Sequence, residues 1–262
     1  MKKKLLVFAM VLLVSNVFAQ DKLYLVFEMM KVDNEQEMAY METENFWEKI
    51  HQQRVQSDEI IGWDLWQLLP GGEDQGYQYM TVTLYDNPVS MFKGGDLIEN
   101  AKRAYPNMKE EDLLKKLNNS AKTRDLAVRI YLEDIANTVG ANEMPIGTVA
   151  FLDFMKVDLN KYEAYEKAEM DVFQPMHQKQ VDDGEKKYWS LMRIMLPVGS
   201  DTYASHITVN MFDDVESAFS SNGGGNWDGL TDAQQKAIQA GLDLRDMKVT
   251  TLATLLKKVK KN

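Results

Sequence analysis

The chain contains no cysteine. Disulfides, thiolate metal sites, catalytic cysteines and a lipid-anchoring cysteine are therefore excluded. Histidine is nearly as scarce, with three in 262 residues, so any imidazole chemistry rests on His51, His177 or His206. Basic residues are also short, 30 Lys and Arg against 40 Asp and Glu. Only one long apolar run is present, in "MKKKLLVFAMVLLVSNVFA" at the start. Three lysines, apolar residues from Leu5 onward, and Val17 and Ala19 at the end predict an export signal at 1–19, cut before Gln20. The alternative is a membrane anchor, but Leu5–Val14 falls short of the ~20 apolar residues of a span. Export implies the periplasm or the outside, and no membrane contact after cleavage.

Without Lys2, Lys3 and Lys4 the mature charge is 27 − 40 = −13. Such a surface argues against nucleic acid or anionic lipid as partner, since phosphates need a basic patch. The run "KKVKK", Lys257–Lys261, reads as a solvated tail. A mature length of 262 − 19 = 243 residues fits one large domain or two small ones.

What the sequence does hold is self-similarity. "MKVD" occurs at Met30–Asp33 and Met155–Asp158, and "AY" at Ala39 and Ala164. "EKIHQQRV" around His51 answers to "QPMHQKQV" around His177. "GWDLWQLLPGG" from Gly62 pairs with "YWSLMRIMLPVG" from Tyr188, "YMTVTLYDN" from Tyr79 with "HITVNMFDD" from His206, and "RDLAV" at Arg124 with "RDMKV" at Arg245. The landmarks keep their order, with offsets between 245 − 124 = 121 and 206 − 79 = 127. This pattern reads as an internal duplication.

Each half reads as strand, long helix, two strands, a looser helical region and a closing strand. The first strands are Leu23–Val32 and Thr148–Val157, the helices Asn34–Gln56 and Asn160–Val181, and the second strands Trp63–Leu69 and Tyr188–Leu196. "NMKE" from Asn107 and "TDAQ" from Thr231 read as capping boxes, and the closing strands as Leu126–Leu132 and Met247–Ala253. The order β-α-β-β-α-β is the ferredoxin-like unit. The expected division is 20–134 and 148–262, joined by a linker at 135–147. One such unit leaves a sheet face uncovered, and here neither face is polar enough for water. The expected fold is α+β, two tandem units packed sheet to sheet, and the chain is expected to be monomeric.

This topology, its duplication and the helix ending in a histidine phrase resemble the dimeric α/β-barrel superfamily, which includes antibiotic-biosynthesis-type monooxygenases, EthD-like and NIPSNAP-like proteins. Here it would be a fused pseudo-dimer. The resemblance implies a small, largely apolar substrate, no necessary metal, and a histidine with nearby tryptophan or asparagine in each cleft.

The residues themselves mark where such a cleft would lie. Trp47, His51 and Val55, and Phe173, His177 and Val181, form stripes at i, i+4, i+8. Each histidine reads either as a packed residue at the core edge or as a base or ligand in a pocket between helix and sheet. Pro175 should kink or restart the second helix beside His177 only. Glu28 and Asp153 occupy equivalent places in the first strands, with Arg129 and Arg193 as candidate partners; a structural ion pair is the competing reading. His206, Thr208 and Asn210 form a polar stripe where the first half has Tyr79, Thr81 and Thr83, and either stripe could face a barrel interior. Trp63, Trp66, Trp189 and the methionines supply a soft apolar wall. The loop "SSNGGGNWDG", Ser220–Gly229, matches no calcium or phosphate fingerprint and reads as a mobile loop.

Three functions fit: a monooxygenase-like enzyme with His51 and His177 as catalytic candidates; a barrel binding haem or another ligand, with His51 or His177 as axial ligand; or a structural or interaction protein. A small-molecule pocket in each half is the favoured expectation. Its ligand-binding candidates are Glu28, Asp153, Trp63, Trp189, Tyr79, His206 and Asn210. No metal site is expected and no cofactor is specified.

Overall fold

A computed structural model describes residues 22–70, 73–140, 143–221 and 229–261. The expected export signal and most of the glycine-rich loop at 220–229 lie outside these residues. The elements run β1 (Tyr24–Lys31), α1 (Glu37–Gln56), β2 (Gly62–Leu69), β3 (Tyr79–Tyr85), α2 (Pro88–Lys93), α3 (Leu97–Ala104), α4 (Glu110–Asn119) and β4 (Asp125–Asn137). They continue with β5 (Val149–Lys156), α5 (Tyr162–Ala168), α6 (Gln174–Asp182), β6 (Tyr188–Leu196), β7 (His206–Phe212), α7 (Val215–Ser221), α8 (Asp232–Leu242) and β8 (Asp246–Lys260). Among the described residues no helix is long and apolar enough to cross a membrane.

The strands close into one antiparallel barrel, β1-β3-β2-β8-β5-β7-β6-β4, with β4 returning to β1. The first part of the chain supplies β4-β1-β3-β2 and the second β8-β5-β7-β6, both in the ferredoxin-like order. The join between them differs from the expected sheet-on-sheet packing. The sheets meet edge to edge, because β4 and β8 are longer than their apolar patterns indicate. β4 pairs with β1 from Asp125 to Glu133 and with β6 from Tyr131 to Asn137. β8 pairs with β5 from Asp246 to Thr254 and with β2 from Leu252 to Lys260. Each strand thus runs past its own sheet and satisfies the bare edge of the other, which would otherwise expose a row of unpaired backbone groups.

Two expectations change as a result. Strand pairing continues to Asn137, so the linker expected at 135–147 begins inside β4. The basic run is not a solvated tail: Lys257–Lys260 lie in β8, opposite Gly62–Leu65. Lys257 Nζ donates to Glu48 at 2.8 Å and Lys261 Nζ to Asp58 at 2.6 Å.

Period-two alternation divides the side chains between two layers. Leu25, Phe27 and Met29 of β1 point inward with Trp66, Leu68, Met80, Val82, Ile130 and Leu132, and meet Leu152, Met192, Ile207, Val209 and Leu255 from the other half. Val26, Met30, Trp63, Leu65 and Tyr79 point outward and pack with Tyr40 and Val55 of α1. On β7 it is Ile207 and Val209 that face inward. His206, Thr208 and Asn210 therefore face the helices, and so does Tyr79 on β3; neither stripe lines the barrel interior.

The helices over the two halves differ by one residue. Asp33 to His51 is 51 − 33 = 18 positions, and Asp158 to His177 is 177 − 158 = 19. A π-helical turn, Glu169–Phe173, sits between α5 and α6 and absorbs the extra residue. α6 then restarts with Pro175 in its first turn, where a missing N–H removes no intrahelical bond. Phe173 lies against α8, where a Cβ at Gly241 would stand 2.7 Å from its ring. The expected capping box at Thr231 and Gln234 forms. The one expected at Asn107 does not: α4 starts from Lys109 without a side-chain cap, and Glu110, Glu111 and Asp112 face its positive end instead.

If the π-turn serves only to restore register, excising the exposed Asp171 should leave a folded protein melting within a few degrees of wild type. Excising Lys49 from α1 should be far more damaging, because it rotates His51, Arg54 and Val55 by about 100° off the sheet. Thermal melts with near-ultraviolet circular dichroism of the tryptophans would separate the two.

Candidate functional site

α1 lies across the outer face of β1, β2 and β3, and the stripe expected on it is present. The His51 ring is sandwiched, with Trp63 of β2 at 4.7 Å and 15° and Trp47 one turn earlier at 5.9 Å and 29°. Arg54 NH1 lies 3.2 Å from His51 Nδ1. A guanidinium can only donate, so Nδ1 accepts and the ring proton sits on Nε2. Burial, then the Arg54 and Arg124 cations, hold the imidazole well below its ordinary pKa. His51 is thus a neutral ring offering an N–H.

This ring lines a cleft of about 570 Å³ between α1 and the sheet. Glu28 lies on its sheet wall, with Arg129 opposite on β4 donating from Nε at 2.8 Å and Thr81 Oγ1 donating at 3.3 Å. Arg129 was the expected partner of Glu28. Thr83, Tyr85 and Tyr131 complete the sheet side, Glu44 and Trp47 the helix side, and Met91, Phe92 and Lys93 of α2 the rim. Arg54 NH2 also donates to Tyr85 at 3.3 Å. Three guanidinium groups line the cleft, Arg129 paired with Glu28, Arg124 with Glu44, and Arg54 with Glu59 at 3.8 Å.

Glu44 is 1% exposed and lies 2.9 Å from Arg124 NH1. Burial pushes its carboxyl up to about 7, against the pull of Arg124 and Tyr40. The second half repeats the grouping: Glu169 lies 3.6 Å from Arg245 Nε, and burial raises it too, against Tyr165 and Arg245. Because the grouping recurs where His177 has quite different surroundings, Tyr40–Glu44–Arg124 reads as a fastening of helix to sheet. Arg54, Glu44 and Arg124 were not among the expected site residues. The recurrence of Tyr and Glu four apart, at 40/44 and 165/169, was the available signal.

The second half holds its histidine in the same place, and the π-turn explains why. His177 stacks on Trp189 of β6 at 4.9 Å and 21°. Beside it, however, Lys186 Nζ lies 2.8 Å from His177 Nδ1 and donates to Asn210 Oδ1 at 2.7 Å. The position matching Lys186 in the first half is Ile60, buried in the apolar cluster under α1. Burial brings Lys186 down to about 8, so at neutral pH it is an ammonium that competes for Nδ1 with Gln180 Oε1, an acceptor 3.2 Å away. Burial, then Lys186, lowers His177 to about 3. Asp153 accepts from Thr250 at 2.6 Å, Asn210 at 3.0 Å and Thr208 at 3.2 Å. Arg193, the other candidate partner for the two strand carboxylates, instead bonds Glu166.

The remaining candidates are structural in their contacts. His206 is fully buried, with Tyr162 and Tyr165 edge-on to its ring, and its Nε2 lies 3.0 Å from Glu166 Oε1. Burial works to raise Glu166, but His206 and Arg193 outweigh it and hold the carboxyl at about 2. Tyr79 donates to Glu37 at 3.4 Å and packs on Tyr40. The structure thus brings His51, Trp63 and Glu28 to one cleft, gathers His177, Trp189 and Asn210 around Lys186, and sets Tyr79 and His206 apart.

Neither histidine is prepared to ligate haem. An axial histidine coordinates through a nitrogen lone pair while its other ring nitrogen donates a hydrogen bond. At His51 Nδ1 accepts from Arg54, so Nε2 carries the proton, and at His177 the Lys186 ammonium stands 2.8 Å from Nδ1, in competition with Gln180 Oε1 for the donor's place. The residues present do not fit haem ligation in either half. Among the described residues no three His, Asp or Glu are grouped to hold a metal ion.

No protein-family model matches the chain, and no curated protein matches it in sequence. Solved structures do resemble it in fold. A candidate monooxygenase from Lactobacillus acidophilus aligns at a TM-score of 0.56 with 9% identity, over 92% of this chain and 97% of that one. An anthrone oxidase-like protein aligns at 0.53 with 11% identity, over 92% and 94%. A chlorite dismutase variant from Candidatus Nitrospira defluvii aligns at 0.51 with 12% identity, over 92% and 93%. At these identities the likeness is one of fold: an α+β barrel of the ferredoxin-like, dimeric α/β-barrel kind, extending over nearly the whole of each chain.

Proposed function

We propose that this is an exported, monomeric, fused pseudo-dimer that binds a small aromatic or apolar molecule in the helix–sheet cleft of its first half. The observation that carries the reading is His51, a neutral ring stacked between two tryptophans and fixed as an Nε2–H donor in a cleft lined by three arginines. Flat walls favour a flat occupant, and the N–H and arginines favour an acceptor or anionic group on it. Binding without histidine base catalysis fits best, since a general base needs the lone pair that Arg54 occupies. The names of the fold neighbours are compatible with a ligand-binding barrel. In the second half Lys186 stands where a ligand's polar group would be, and that half supports the barrel without a matching site.

Calorimetric titration with 2-naphthoate tests the site. Saturable binding is expected, weakened about tenfold in His51→Phe, which keeps the stack and loses one N–H. His177→Ala should leave the affinity unchanged. No saturable binding to wild type, or an equal loss in His177→Ala, would sink the proposal.

The second half makes its own prediction. With His177 at about 3 when folded and near 6.5 when unfolded, the unfolded chain binds more protons between those values. Stability should fall as pH drops through that window. Lys186→Ile, borrowing the first-half residue, should raise the His177 pKa and shrink that acid loss, as read by imidazole NMR and by melts from pH 7 to pH 3.5. An unchanged His177 titration would show that Lys186 does not control it. For assembly, light scattering should report a monomer, and a stable homodimer would contradict the pseudo-dimer.

A further inference from the structure

The barrel interior contains a second cavity, separate from the cleft under α1. It measures about 260 Å³ and is walled by Phe27, Trp66, Met80, Leu152, Met192 and Val209. An apolar cavity of about 150 Å³ already holds a benzene ring. Two carboxylates, Asp64 of β2 and Asp134 of β4, also line it.

Those carboxylates are poorly provided for. Asp64 and Asp134 are 5% and 8% exposed. Asp134 Oδ2 accepts from Asn137 at 2.6 Å, while its Oδ1 is buried without a hydrogen-bond partner. Asp64 shows no hydrogen bond or ion pair among the described residues. Of the nearby ammonium groups, Lys187 pairs with Asp213 at 2.6 Å and Lys22 with Glu133, while Lys258 donates to the Met144 carbonyl at 3.1 Å and acts with Lys260 on Asp64 only through space. A buried carboxylate without an ion pair in contact is costly, and the barrel does not require one at either place. The matching second-half positions are Ser190 and Leu255. An apolar tube ending at two underused acids is complementary to an apolar body ending in a cation.

We propose that the barrel interior binds a small apolar amine, its hydrocarbon body in the tube and its ammonium against the unpartnered Oδ1 of Asp134, with Asp64 adding a second negative charge to the wall. The electrostatics agree. Burial raises Asp64 to about 7 against Lys258 and Lys260, and Asp134 to about 6 against Asn137 and Lys22. Glu143, Lys187 and Tyr188 are the other titratable groups lining the cavity. Both acids are thus ionised at pH 8 and largely protonated at pH 5, so an ammonium is held at the higher pH and released at the lower.

The test compares phenethylammonium with 2-phenylethanol, its neutral isostere, by calorimetry on the full chain. At pH 8 the ammonium should bind at least about tenfold more tightly, the scale of one charge-assisted hydrogen bond. Asp64→Asn/Asp134→Asn should bring the two ligands to parity while melting no lower than wild type, since it removes uncompensated charge without changing shape. Lowering the pH to 5 should do the same in wild type. His51→Phe should leave the preference intact, which separates this cavity from the cleft under α1. Equal binding of ammonium and alcohol at pH 8, or a preference that survives the double substitution, would overturn the proposal.

Discussion

A four-stranded sheet has two edges, and every backbone N–H and C=O along them must find a partner in water or in protein. The structure meets that demand by letting β4 and β8 overrun their own sheets, so that β4 completes the pairing of β6 and β8 that of β2. Other features depend on this closure. The inward side chains of eight strands meet in one core, which removes the need for a second layer on the inner faces. The outward faces are then left to the helices, and that is where both histidines lie.

One scaffold thus carries two outer faces that differ. Under α1, Ile60 is buried with Val55 and Trp63, and the polar groups of Glu28, Arg54 and Arg129 border an open cleft. Under α6, a lysine at the matching position reaches between His177 and Asn210. Burying that ammonium is expensive, as its lowered pKa shows, and its bond to Asn210 offsets part of the cost. Tyr40–Glu44–Arg124 and Tyr165–Glu169–Arg245 are the most alike in their contacts, in keeping with a role in fastening each helix to its sheet.

The order of elements was legible in the sequence because it rests on local pattern: apolar alternation, helix length and turn residues. The ends of β4 and β8 were not. Glu133, Asp134 and the lysines from Lys257 to Lys260 look like solvent-facing residues, and only the partner strand, far away in sequence, makes them part of a ladder. The same distance hid the cleft. His51 and Trp63 could be picked out from their repeats, whereas Arg54 and Arg124 join them through a helix turn and a strand end. The polar stripe on β7 was visible, but a strand's two faces look alike until the barrel decides which is inside. Pro175 was legible as a disturbance, and its meaning as a register correction needed the π-turn.

The pairing of Gly62 with Lys260 also constrains the order of folding. β2 is made early in synthesis, and the strand that covers it is the last of the eight. Until β8 emerges, the first half must wait with an open, apolar edge, and the loop that finally closes is nearly as long as the barrel itself. Such non-local pairing slows folding. A chain that reaches its closed form late also leaves that strand edge open to wrong partners for longer.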